Sequence, residues 1–313
     1  MTGPAVDVDA RTVLRRVVQG EDPTGIAFPP QGNHKDTIVA HYADRPSAVV
    51  QLTDDPTAAR TEAALLAAIR ARTAVPVPAL QARGSLGGRG YLVTEYVNGR
   101  DLHQHYADLD AEDARERLAR RFGDVLGRLH DGFRFEAAGP LALDETGDLT
   151  ATGPPAGNFA RQYALDGLEA LPAAFDDRRD AIENALATRP ETDRTPRLYP
   201  WDLRPGNALV DDGEIAAVID WGEPLAADPA LAVAKVEHLV ANWYVDDPAP
   251  LRTAFREGYE AVRPLPDVST ADRVAAVVQS AVDSEGIVTR PRYPELTGEE
   301  AIEVHRVWLD EWL

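Results

Sequence analysis

The chain has 313 residues, 44% of them hydrophobic and 27% charged, and carries a formal net charge of −20. Those proportions describe a folded protein of about two domains or lobes and exclude a disordered chain. The absence of cysteine excludes disulfides, thiolate zinc sites and a cysteine nucleophile, and the acidity argues against nucleic acid as a partner, because that affinity comes largely from neutralised phosphates.

In chain order, Val8, Val13, Leu14, Val17 and Val18 have helical apolar spacing over residues 8–19. Gly20 to Lys35, rich in Pro and Gly, reads as a loop. Thr37–Ala40 and Ala48–Leu52 read as neighbouring strands around an Asp44-Arg45-Pro46 turn. Pro56 to Arg72 is helical throughout, and Tyr91–Val97 is a strand ended by Asn98-Gly99. Asp110 to Asp131 is a helix whose Leu118, Phe122, Val125, Leu126 and Leu129 face a core. Leu141 to Asn158, rich in Gly, Pro and Asp, reads as a connection. Helices follow at 158–170 and 173–187, then short strands at 207–211 and 214–219 around the Asp211-Asp212-Gly213 turn. Further helices are predicted at 228–245, 249–262, 269–284 and 298–312, the last with a Thr297/Glu300 capping box.

The chain therefore divides near Gly99, into residues 1–98 with a small sheet and one long helix, and residues 99–313, mainly helical. No apolar run approaches the roughly 18 residues that span a bilayer. Met1 to Arg16 lacks a charged-then-apolar leader. The expectation is a cytoplasmic protein with no membrane partner.

The chemistry concentrates in Asp202-Leu203-Arg204-Pro205-Gly206-Asn207, followed by Val218-Ile219-Asp220-Trp221-Gly222. An aspartate, an asparagine five residues later and a second aspartate after an apolar strand suit phosphoryl transfer. One carboxylate can orient and deprotonate an attacking hydroxyl. The amide oxygen and the other carboxylate can hold the Mg²⁺ that neutralises nucleotide phosphates. Each residue alone is more often a turn or cap residue; their coupled spacing is what points to a site. His103 and His105, two residues apart, do not share a helix face and are not read as a metal site.

These residues resemble the aminoglycoside phosphotransferase and choline kinase family. The family pattern is His-Gly-Asp-x-x-x-x-Asn, an apolar hairpin, Ile-Asp-Trp/Phe, then Gly-Asp-Pro. Here it reads Pro200-Trp201-Asp202 through Asn207, Ile219-Asp220-Trp221, and Ala227-Asp228-Pro229. The resemblance runs from about Gly32 to Ala234. It implies an α+β, protein-kinase-like fold of two lobes, with a small β-sheet lobe carrying one long helix and a larger, mainly helical lobe. It implies a kinase using ATP, or GTP, with Mg²⁺ and a small hydroxyl-bearing substrate.

Residue by residue, the resemblance makes Asp202 the base or hydroxyl-positioning carboxylate, Asn207 and Asp220 the Mg²⁺ ligands, and Asp228 a structural support. Glu62 becomes the helix glutamate of the nucleotide lobe. Backbone groups of Glu95 and Val97 face adenine. Gly32, Asn33 and Lys35 belong to the loop over the phosphates. His130 is architectural. The acid-rich, lysine-poor composition also resembles proteins of salt-accumulating archaea, in which about 1 M salt shortens the Debye length to near 3 Å.

The chain departs from the pattern twice. The family's His-Gly is Pro200-Trp201, which bears on loop geometry. The third-strand lysine that pairs with the helix glutamate falls at Gln51, which has no charge. Losing one hydrogen bond to a charged group, worth about 1.5–3 kcal/mol, costs roughly one to two orders of magnitude. Lys35, one of only two lysines in the chain, is the candidate to compensate. The competing reading is a pseudokinase that binds nucleotide as a sensor or scaffold. For the acceptor, Glu237, Trp243, Tyr244, Asp246 and Asp247 offer acidic and aromatic groups suited to an amine.

Overall fold

The computed structural model describes residues 4–17, 22–29, 35–109, 112–154, 156–283, 286–288 and 296–313. Helix α1 (Pro4–Val17) leads into strands β1 (Gly25–Ala27), β2 (Asp36–His41) and β3 (Ala48–Thr53). Helix α2 (Pro56–Arg72) follows, then β4 (Leu80–Leu86) and β5 (Arg89–Glu95). These strands form one antiparallel sheet in the order β1-β2-β3-β5-β4. β1 lies within the stretch the sequence marks as loop: three residues with weak alternation give no signal until β2 supplies a partner.

The sheet has two dry faces. On one, Ala10, Val13 and Leu14 of α1 pack on Ile38, Val50, Leu52 and Val93. On the other, Leu92 joins Ala63, Leu66 and Ile69 of α2 in the main core. The helix starts where it does because the Asp55 carboxylate accepts from the N–H groups of Thr57 and Ala58 and Pro56 occupies the first turn.

After β6 (Arg100–Asp101) and α3 (Leu102–Asp108) comes the long helix α4 (Glu112–Gly132). The predicted loop at 141–158 instead begins as a hairpin, β7 (Gly139–Leu143) and β8 (Leu149–Ala151). Asp144 organises its turn by accepting from Thr146 and Asp148. Helices α5 (Ala156–Ala170) and α6 (Arg179–Ala187) precede β9 (Arg197–Tyr199), the hairpin β10 (Ala208–Asp211) and β11 (Glu214–Val218), and β12 (Leu225–Ala227). β12 pairs with β9 and β7, while β10 pairs with β11 and β6.

Helices α7 (Pro229–Glu237), α8 (Ala249–Glu260), α9 (Thr270–Val278) and α10 (Gly298–Trp312) complete the chain, and a wider π turn at His238–Asn242 extends α7. The capping box expected at Thr297 is not formed. One forms instead at Ser269 and Asp272. α8 packs along α4 so closely that Gly123 and Gly258 lie against the facing backbone, with no room for a Cβ. No described helix is long and apolar enough to cross a membrane.

Candidate active site

The loop after β9 carries Asp202. Pro205 opens a single 3₁₀ turn ending at Asn207, whose N–H reaches back to the Arg204 carbonyl at 3.0 Å. This fold-back brings the Asn207 side chain onto Asp202. Its Nδ2 donates to Asp202 Oδ2 at 2.8 Å and to the Asp202 carbonyl at 3.0 Å. Arg204 Nε donates to both carboxylate oxygens, at 2.8 and 2.9 Å. Asp202 is thus clamped from two sides, a charge-assisted arrangement that fixes its orientation. With both Nδ2 hydrogens engaged, Asn207 keeps its Oδ1 as a free-facing acceptor.

The β10–β11 hairpin then delivers Asp220. Asp212 and Gly213 take left-handed conformations, φ 48° and 79°, as a tight hairpin turn requires. The Ile219 N–H closes on the Asn207 carbonyl at 2.9 Å, so the next residue, Asp220, arrives beside Asn207. Asp220 itself sits at φ 60°. A non-glycine residue held there costs on the order of 1–3 kcal/mol and is found where function or tight packing over-determines the backbone.

Its side chain meets Lys35. The Lys35 Nζ lies 2.9 Å from Asp220 Oδ1 and 2.7 Å from Glu62 Oε1. Strand register explains the reach. Thr37 pairs with Gln51 and Gln51 with Leu92, so these share the sheet face that looks onto α2. Lys35, two residues before Thr37, projects to the same side. The cation that Gln51 lacks therefore comes from the start of the adjacent strand. Burial lowers the Lys35 pKa, but Glu62 and Asp220 together carry it above the ordinary lysine value. Burial pushes the Glu62 carboxyl up, against the pull of Lys35 and of a bond from the Trp221 N–H. Glu62 consequently joins α2, Lys35 and the residue after Asp220 in one knot.

A buried frame surrounds these groups. Asp228 is wholly buried; it caps α7 by accepting from the Ala230 N–H at 2.8 Å, accepts from the Thr192 hydroxyl at 2.6 Å and forms an ion pair with Arg189 at 3.0 Å. His130 is buried against the Tyr259 hydroxyl, 2.8 Å away, while Arg197 donates to its carbonyl. Burial and the nearby arginines drive the His130 pKa down, which keeps it neutral and architectural.

Glu237, an acidic candidate for the acceptor, is removed from that role. It is buried and paired with Arg256 and Arg273, each at 2.6 Å. Tyr244 bonds His103 at 2.5 Å, and among the described residues no cluster of three or more His, Asp or Glu could hold a metal. Glu95 ends β5, with its N–H on the Ala79 carbonyl and its carboxylate on the Ala79 N–H. Val97 follows it, and neither touches the Lys35 ion pairs. Gly32 and Asn33 lie outside the described residues.

Two cations carry no role in the sequence reading: Arg204, bonded to Asp202, and Lys235 of α7, whose ammonium lies 5.5 Å from the centre of the Trp201 ring. Trp201 lines the cleft together with Tyr199, Asp202, Asp220 and Gly222. Lys235 was visible in the sequence as the one charge in the otherwise apolar run Ala230–Val236.

The family profile described as Phosphotransferase enzyme family matches residues 25–271. No curated protein matches the sequence. Among solved structures, aminoglycoside phosphotransferase APH(4)-Ia superposes with a TM-score of 0.65 at 14% identity, covering 98% of each chain. A thermostable mutant of it is known in ternary complex with AMP-PNP and hygromycin B. Macrolide 2'-phosphotransferase MphH from Brachybacterium faecium gives 0.60 at 19% identity, over 86% of this chain and 90% of that one. The GDP complex of aminoglycoside 2'-phosphotransferase-IIIa gives 0.59 at 16%, over 98% and 99%. At these identities the likeness is one of fold, the two-lobed, protein-kinase-like α+β architecture.

Proposed function

Since the chain belongs to the phosphotransferase enzyme family and is a kinase of hydroxyl groups, we propose that it moves the γ-phosphate of ATP, with GTP as the alternative donor, to a small hydroxyl compound in the presence of Mg²⁺. The observation that carries this reading is the Lys35 bridge between Glu62 and Asp220, beside an Asp202 held by Asn207 and Arg204.

The acceptor oxygen attacks the γ-phosphorus and forms the new O–P bond. The bond from the γ-phosphorus to the β–γ bridging oxygen breaks, and ADP leaves with that electron pair. Asp202 orients the hydroxyl and takes its proton. Lys35 has three N–H donors, two of them on Glu62 and Asp220, and gives the third to a phosphate oxygen. Backbone groups of Glu95 and Val97 would face the base.

The donor set fits Mg²⁺. Asn207 presents only its oxygen, and the Asp220 side chain is 55% exposed, with one carboxylate oxygen bonded to Lys35. Two protein oxygens suffice for an ion that takes its remaining ligands from phosphates and water. Bound there, Mg²⁺ would offset charge developing on the β- and γ-phosphate oxygens. Because the transition state is loose, positioning and charge neutralisation supply most of the acceleration.

The pseudokinase reading drew on Gln51 and Pro200-Trp201. Lys35, bridging Glu62 to Asp220, supplies the charge that Gln51 lacks and so weakens the first of these grounds; turnover separates the two readings. The test is phosphate release from Mg·ATP by wild type and Asp202→Asn. Loss of a general base costs about 10²–10⁴-fold, so turnover should fall by at least two orders while nucleotide binding persists. Equal turnover in the two proteins would sink the assignment of Asp202.

A further inference from the structure

Arg204 is tied to Asp202 in an uneven way. Its Nε alone makes both bonds to the carboxylate, at 2.8 and 2.9 Å. An arginine that serves only to orient a carboxylate commonly lays two nitrogens across the two oxygens. Asp202 scarcely needs that service, because Asn207 Nδ2 already bonds its Oδ2 and its carbonyl. A guanidinium has five N–H donors, and Asp202 engages one of them. The Tyr244 hydroxyl adjoins the guanidinium, and the centre of the Trp243 ring lies 6.0 Å from its carbon. No carboxylate other than Asp202 pairs with Arg204 among the described residues.

The Nη end of Arg204 runs along the loop from Asp202 toward Asn207. Nη1 lies over Gly206, in space that a Cβ there would take. In the kinase reading the acceptor hydroxyl sits at Asp202 and the metal at Asn207 and Asp220, so the phosphoryl group crosses between these residues. Arg204 spans the same interval. Its side chain is 26% exposed beside a carboxylate that lines the cleft, whereas the structural Arg189 is 6% exposed. The other cation without a role, Lys235, is 3% exposed, donates to the Gln279 carbonyl at 2.6 Å and faces the Trp201 ring.

The chemistry has a use for a donor in that place. A loose transition state spreads negative charge over three equatorial phosphoryl oxygens. Lys35 is held by Glu62 and Asp220, on the nucleotide side of the group. A donor fixed beforehand on the acceptor side stabilises the developing charge without reorganisation at the moment of reaction.

We propose that Arg204 is a catalytic residue: Nε stays on Asp202 while the Nη donors bond the phosphoryl oxygens as the group passes from ATP to the acceptor. The proposal rests on the kinase reading above and adds a second cation to it. The guanidinium stays charged and moves no proton, so the bonds made and broken are those already given.

The test uses the full chain, with water as acceptor and with Mg·ADP plus aluminium fluoride as a mimic of the planar phosphoryl group. Calorimetry gives the gain in Mg·ADP affinity that the fluoride brings. In Arg204→Met this gain should fall by about tenfold or more, while Mg·ADP affinity alone stays within about threefold. Arg204→Lys should keep part of the gain. Phosphate release from Mg·ATP should fall by about a hundredfold or more in Arg204→Met, as on loss of a donor to transition-state charge. Asp202→Asn discriminates: it should lose turnover yet keep most of the gain, because the Nη donors remain. If Arg204→Met fails to bind Mg·ADP, Gly206→Ala, which displaces the guanidinium without removing it, reads the same loss.

A gain in Arg204→Met equal to that of wild type would overturn the proposal. So would equal losses of gain in Arg204→Met and Asp202→Asn, which would leave Arg204 acting only through Asp202. A wild type that releases phosphate but shows no gain would also overturn it. The kinase reading fails separately, if wild type neither binds Mg·ADP nor releases phosphate from ATP.

Discussion

The Lys35 ammonium lies 2.7 Å from the Glu62 carboxylate, although Lys35 precedes β2 and the strand position that would ordinarily hold such a lysine, on β3, is Gln51. The antiparallel register places both positions on the sheet face above α2, so a cation can enter the same space from either strand. Lys35 supplies this cation from the residue just before β2, with Asp220 as its second carboxylate partner.

Gly206 makes room for Arg204. A Cβ at that position would lie 2.1 Å from the Arg204 guanidinium Nη1, too close for both to stay. Gly206→Ala should therefore push the guanidinium off Asp202. Losing a charge-assisted bond worth about 1.5–3 kcal/mol lowers kcat by roughly one to two orders, with the unfolding midpoint little changed. Steady-state phosphate release together with a thermal melt checks this. A kcat equal to wild type would show that the Arg204 clamp does not matter.

Asp228 anchors the frame of the site. Breaking a buried pair by removing one partner costs about 3–5 kcal/mol, and Asp228→Ala leaves Arg189 with Asp272 alone. Burial raises the Asp228 pKa, but Thr192, the Ala230 N–H and Arg189 outweigh it and hold the carboxyl below the ordinary aspartate value. The unfolded chain therefore binds this proton first as pH falls. The stabilisation is present above the ordinary aspartate range and is lost on acidification through it. Urea unfolding at pH 7 and pH 3 should show a large difference between wild type and Asp228→Ala at the first and a smaller one at the second.

Lys235→Met should gain stability near neutral pH, by removing a buried ammonium from among Asp202, Arg204 and the neutral His238. The folded-state pKa is about 7 and the ordinary lysine value is 10.5. Between them the unfolded chain holds the proton and the folded chain does not, so wild-type stability rises with pH across that window. The advantage of methionine should be largest at or below pH 7 and shrink toward pH 10, measured as the difference in urea midpoints. A variant less stable than wild type at pH 7 would mean that the Gln279 and Trp201 contacts outweigh desolvation.

Much of this was legible in the sequence, and the reasons differ by element. Helix α2 announced itself through the unbroken run from Pro56 to Arg72. The β10–β11 hairpin announced itself through Asp212-Gly213. Asp202, Asn207 and Asp220 were legible because one hairpin couples them, so their spacing carries the geometry. The short strands β1, β7, β8, β9 and β12 were not, because three to five residues carry little periodicity and their pairing is set by distant partners. The last helix offered Thr297 and Glu300 but formed no capping bond, whereas Ser269 and Asp272 did. The meeting of Lys35 with Glu62 depends on the register of β2 on β3, which no local pattern states. Glu237 looked available to a substrate amine because its two arginine partners lie on other helices.

The central claim is that Lys35, and not Gln51, is the cation of the phosphate site. The direct measurement is ATP turnover, with Mg·AMP-PNP affinity read alongside, in wild type, Lys35→Met, Gln51→Ala and Lys35→Met combined with Gln51→Lys. Loss of one charged contact is worth about tenfold or more, so Lys35→Met should lose at least that factor. Gln51→Ala should stay within about threefold of wild type, and the double variant should recover part of the loss, because both positions share one sheet face. A Lys35→Met protein that turns over and binds like wild type, or a Gln51→Ala protein that loses the larger factor, would contradict the account.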